Sequence, residues 1–338
     1  MAVDTIIKTE KLCKYKDKTG FRSDYQCHEK PLSDSKQSFC IFHEPGKTEK
    51  DCNQFEAEIN DKLRNNIYDF TGYVFPKIRF FNTEKFTDAE FVGATFKENV
   101  FFTGPHFNCD ACFMGSTFEG NANFIGLIFT LNLFLVGSTF KKEANFREST
   151  VEMEADFIEA TFNGRTDFIK TSFKRMVNFN GSTFRKEAFF EKSTFREEAK
   201  FIGITFGERA DFSESKFKDD VNFTKSKFEK RAFFSKSIFK GEIHAKDTKL
   251  ESKYDSVIFF RLAKNAAYTH GNYVDQGYYH QKEMDQIRKG QVWYKRGWNF
   301  IIQKLLHGYG EKPINVFITA LIVILISSLF FSIFGIHE

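Results

Sequence analysis

Cys13, Cys27, Cys40 and His43 are the residues of this 338-residue chain whose types suit them to hold a metal ion. Three thiolates and one neutral imidazole make a tetrahedral Cys3His set of the kind that binds structural zinc. The run Cys40-Ile41-Phe42-His43 places two such donors at a spacing that one tight turn presents to a single ion. The gaps of thirteen residues after Cys13 and twelve after Cys27 are permissive. Only one close pair exists, where the strongest zinc signature has two, so a cysteine-containing cap without metal stands as the alternative. His28, beside Cys27, is a spare ligand, and Cys52 is expected to stay outside the set. The residues after Met1 show no apolar secretory core, which points to reduced thiols or metal ligands rather than disulfides.

No other constellation carries chemistry. Cys109-x-x-Cys112 has no second pair nearby, and His106 has no nucleophile or base beside it. A Gly-rich phosphate loop, paired carboxylates on a common face and a positioned Ser-His-Asp set are all missing from the pattern, so the chain reads as a non-enzyme with no small-molecule substrate.

The elements that must position these residues are dominated by phenylalanine, present 46 times. From Phe91 to Phe239 an apolar rung recurs at steps of five then six, as in Phe91, Phe96, Phe102, Phe107, Phe113 and Phe118. Leu135 and Val151 are the two substitutions in the series. The eleven-residue unit reads roughly [AV]-[DN]-F-x-x-[ST]-[TK]-F-x-x-x. Steps of five turn about 140° on an α-helix and would split the rungs between faces. In extended chain the rung and the small residue two positions earlier face inward, and the residue between them faces water. Such self-similarity dictates a solenoid. Cys112 and His106 then fall in outward slots before Phe113 and Phe107.

This stretch resembles pentapeptide-repeat proteins in their Phe-rich form. The resemblance implies a mainly β fold, a right-handed quadrilateral β-helix with two eleven-residue repeats per coil and about seven coils. Some members are acidic rods that imitate DNA. From 91 to 240 this chain carries 22 basic against 20 acidic residues, and its formal net charge is +4. It has neither the sustained negative field of a mimic nor the basic stripe of a nucleic-acid binder.

The remaining segments divide as 1–52, a small Cys/His segment; 53–90, an N-terminal cap with a helix over 51–65 and an irregular region of Phe70, Phe75, Phe80 and Phe86; and 91–240, the β-helix. A helical hairpin follows over 241–290, broken at His270-Gly271-Asn272, with Tyr268, Tyr273, Tyr278 and Tyr279 expected to pack between the helices and against the rod. Residues 291–312, with Trp293 and Trp298, read as an interfacial amphipathic helix. Residues 313–338 contain an uncharged run from Val316 to Ile336, about 31 Å long as a helix, which reads as a transmembrane helix. Upstream Lys295, Arg296, Lys304 and Lys312 then place the N-terminal part in the cytoplasm. Gly308-Tyr309-Gly310 precedes the only such run and cannot serve as a selectivity filter.

The Cys/His segment and the hairpin also resemble parts of membrane-bound family members that precede a two-helix potassium-channel-like domain. The expected function is a non-enzymatic, membrane-anchored scaffold or protein-interaction module. Its partners would be the lipid bilayer and either a protein or a second copy, Ser328 and Ser332 being spaced for close helix approach. The alternatives are a subunit or truncated form of a two-helix ion channel and, less favoured, a zinc-dependent nucleic-acid reader.

Overall fold

Four parallel sheets of nine, eight, seven and seven strands enclose one phenylalanine core. The computed structural model describes residues 12–77, 89–102, 106–289 and 313–334. The chain divides into two units, Met1–Lys249 and Leu250–Glu338.

In the first unit every described strand is two residues long, and from Ala89–Glu90 to Lys227–Phe228 each pairs with the strand four places on. Thr139 lies beside Thr161 and Ala155 beside Val177, so one coil takes 22 residues, two eleven-residue repeats. Strands this short form because the chain must turn after each rung to keep Phe inside. In Ala155-Asp156-Phe157 the outer two are buried and Asp156 is half-buried, and Ser182-Thr183-Phe184 repeats the pattern. Successive coils stack ring on ring: Phe91 on Phe113 at 4.8 Å, Phe162 on Phe184 at 4.5 Å and Phe190 on Phe212 at 4.8 Å. That spacing matches the separation of paired strands, about 4.8 Å. Each buried ring contributes about 2–3 kcal/mol, so the ladders supply most of the stability.

Strand pairing extends beyond the Phe91–Phe239 ladder. Val74–Phe75 pairs with Thr95–Phe96 at one end, and Lys249–Leu250 closes the nine-stranded sheet at the other. Phe70 and Phe75 are therefore rungs of a first coil, stacked toward Phe91 at 5.0 Å and on Phe96 at 4.8 Å. Phe80 and Phe86 lie outside the described residues. Helix α1, Glu49–Arg64, opens with a Thr48/Asp51 capping box and buries Phe55 and Ile59, with Phe55 against Phe75 at 5.6 Å.

Outward assignments are corrected at Cys112, 9% exposed, and at Asp167 and Asp211, 5% and 1% exposed. The side chain of His106 is outside the described set.

In the second unit, α2 (Lys253–Thr269) and α3 (Tyr273–Lys289) form the hairpin, and Gly271 turns between them at φ +72°. Phe260 stacks on Tyr279 at 6.4 Å, and the carboxylate of Glu283, 2% exposed, accepts from Arg261 Nε and Lys264 Nζ at 2.7 Å each. Of the four tyrosines, Tyr279 is buried, whereas Tyr268 and Tyr273 stand exposed near the turn instead of packing. The interfacial helix, with Gly308-Tyr309-Gly310, lies outside the described residues.

The transmembrane expectation is overturned, and with it the single-pass membrane localisation. Among the described residues no helix is long and apolar enough to cross a membrane. Helix α4, Pro313–Phe334, is apolar.

Candidate metal centre

Cys13, Cys27, Cys40 and His43 come together as a buried Cys3His group whose donor atoms all lie within 4.8 Å of one another. Local structure explains each placement. Cys13 N–H donates to Glu29 O, Lys14 N–H donates to Ser38 O, and Lys16 bridges Gln26 antiparallel, so the strand leaving Cys13 returns beside itself to Cys27. A tight turn follows, in which His43 and Glu44 N–H both donate to Cys40 O.

Cys27 Sγ is 3.7 Å from Cys40 Sγ, and His43 Nδ1 is 3.1 Å from Cys40 Sγ and 3.6 Å from Cys13 Sγ. Donors around a tetrahedral zinc, at about 2.3 Å to sulfur and 2.0–2.1 Å to nitrogen, stand about 3.5–3.8 Å apart. All six cysteines are free. The four side chains are at most 5% exposed.

The ring of His43 is fixed from both sides. Its Nε2–H donates to Thr71 O at 3.0 Å, which leaves the Nδ1 lone pair aimed at the sulfurs. Tyr15 stacks on the imidazole at 4.1 Å, and Tyr25 and Tyr73 meet it edge-on. Cys40 N–H donates to Cys13 Sγ at 3.2 Å, a bond that favours a thiolate there. Hydrogen bonds from the neighbouring thiols Cys27 and Cys40 hold Cys13 far below the ordinary thiol range, while Cys27, hydrogen-bonded to that sulfur, is pushed up to about 11. A cluster so unevenly protonated suits a cation that would take all three as thiolates. Burial raises Tyr15 to about 12 and lowers Lys47 to about 8. The Lys47 ammonium donates to Glu44 O and Val74 O.

His28 is exposed and Cys52 half-exposed, and neither joins the group. Reading the spacing alone misses Thr71, whose carbonyl leaves no mark in sequence, and Tyr15, whose position two residues after Cys13 is its only signal. Through Thr71, and through Val74 N–H donating to Phe42 O, the Cys/His segment is tied to the first coil.

Among known families, pentapeptide repeats (9 copies) match residues 126–172, 146–194 and 201–244. Comparison with curated proteins and with solved structures returns no match. The repeat matches, all falling on the four-sheeted 22-residue coil, support a pentapeptide-repeat protein.

Proposed function

We propose that this chain is a non-enzymatic protein-interaction scaffold whose solenoid presents binding surface and whose Cys13, Cys27, Cys40 and His43 hold one zinc ion that secures its N-terminal end. The observation that carries the zinc reading is the donor spacing of 3.1 to 3.7 Å in a buried group already oriented by Thr71. Zinc, when bound, supplies a tetrahedral cross-link between chain segments far apart in sequence. The scaffold reading rests on the repeat itself. Nearly every coil uses its interior for packing and its exterior for matched charges, such as Lys141 and Lys97 on Glu119, or Lys170 on Glu148. The anchored and channel readings have no described spanning helix to rest on.

Immobilised full-length chain should capture a protein partner saturably from extract, and excess free chain should displace it. Variants with charges reversed on one solenoid face at a time should locate the contact, with one face losing the partner and the others retaining it. Absence of saturable capture, or equal loss on every face, contradicts the scaffold reading.

A further inference from the structure

The thirteen residues between Cys13 and Cys27 do more than join two ligands, because they run along one corner of the solenoid. A Cβ built on Gly72 would stand 2.0 Å from the Tyr15 ring, and one on Gly93 would stand 3.1 Å from Thr19. On Gly115 it would stand 2.5 Å from Thr19 and 3.4 Å from Phe21, and on Gly137 3.7 Å from Phe21. These four glycines occupy the same corner in successive coils, so the segment spans four of them. Arg22 then bridges Asp69 and Glu90 on the adjoining face.

Backbone conformation does not explain the four glycines. Their φ values are +64° to +70°, in the left-handed region, yet the same corner carries Glu159 at +55°, Lys225 at +58° and Asp247 at +60° in later coils. Gly203 shares the corner, and a Cβ there would meet nothing within 4 Å. Side chains are thus tolerated where the N-terminal segment is absent. Where it lies, glycine supplies clearance.

The face that Arg22 reaches at Glu90 includes Cys112, the register neighbour of Glu90. At the same slot Asp156, Asn178, Lys200 and Asn222, beyond the segment's reach, are half-buried, whereas Cys112 is buried. We propose that residues 14–26 form a metal-latched strap seated in the column of Gly72, Gly93, Gly115 and Gly137. With Cys13 and Cys27 on one ion the strap lies over the first four coils and shields Cys112. Without the ion it lifts and uncovers that corner and face. The latch rests on the zinc reading above; the seat rests on the glycine column alone.

Alkylation of Cys112 in the full chain, followed by peptide mass spectrometry, tests both parts. Gly115→Lys and Gly203→Lys each install the residue that the fold itself carries at position 225, at φ +64° and +66°, so backbone strain is matched. Gly115→Lys should accelerate alkylation by about tenfold or more with the β signal in circular dichroism retained, and Gly203→Lys should react at the wild-type rate. Chelation of the wild-type protein should reproduce the Gly115→Lys rate. Equal rates in the two lysine variants overturn the seat. Zinc removal that leaves the rate unchanged, or protein that neither carries nor takes up zinc, overturns the latch, and the lysine pair then decides the seat independently.

Discussion

Phe179 shows what a single rung is worth. It is fully buried, stacked at 4.5 Å on Phe157 and at 5.1 Å on Phe201. Phe179→Asp would place an unpaired carboxylate between those rings at a cost above about 5 kcal/mol, comparable with the stability of a whole domain. The rod should lose its β signal in circular dichroism at ambient temperature. Asn178→Asp, one residue away, should move the melting free energy by no more than about 0.5 kcal/mol. The reason lies in a detail the repeat pattern did not disclose. Asn178 Oδ1 accepts from the N–H of Asn180, and Asp156, Asp167 and Asp211 make the same bond to Ile158, Ile169 and Ser213. The Asn/Asp slot was legible as outward; its work in closing the next turn was not, because alternation of burial says nothing about side chain to backbone bonding. The outward reading failed at Cys112, which the proposed strap would cover, and at Asp167 and Asp211, which pair with Arg165 and Arg209; a remote segment leaves no trace in a local period.

At the scale of elements, the ladder and the hairpin break at His270-Gly271-Asn272 were readable from spacing and turn chemistry alone. The buried ion group of the hairpin was not, since Arg261, Lys264 and Glu283 come from different helices and look like ordinary surface charges in sequence. Burial pushes the Glu283 carboxyl up, but its bonds to Lys264 and Arg261 outweigh that, and its pKa lies below the ordinary value. A lowered carboxylate pKa contributes stability above the unfolded pKa, and that contribution disappears as pH falls through the folded one. Glu283→Gln should therefore cost about 1–3 kcal/mol at neutral pH, discounted for the exposed Arg261, and less at acid pH. Helix melting of the full chain at the two pH values checks this; an equal loss at both would contradict the pairing. The uncharged run near the end of the chain misled for a different reason. Absence of charge identifies an apolar helix, yet among the described residues no helix is long and apolar enough to cross a membrane.

At the scale of the whole molecule, a phenylalanine solenoid meets a Cys3His group that ties the Cys/His segment to its first coil. The grouping of Cys13, Cys27, Cys40 and His43 was legible in the sequence from residue type and one close pair. Its thirteen-residue gap gave no hint of the proposed strap, because the coils such a strap would cover are remote from it in sequence. The central claim is that the group binds zinc and that the ion secures the first coil. Elemental analysis of purified full-length protein, read beside its melting curve, tests this most directly. One zinc per chain is predicted, lost in the double variant Cys40→Ser, His43→Ala, whose melting should begin earlier as Thr71 loses its imidazole partner. Metal-free wild-type protein whose melting curve matches that of the double variant would contradict it.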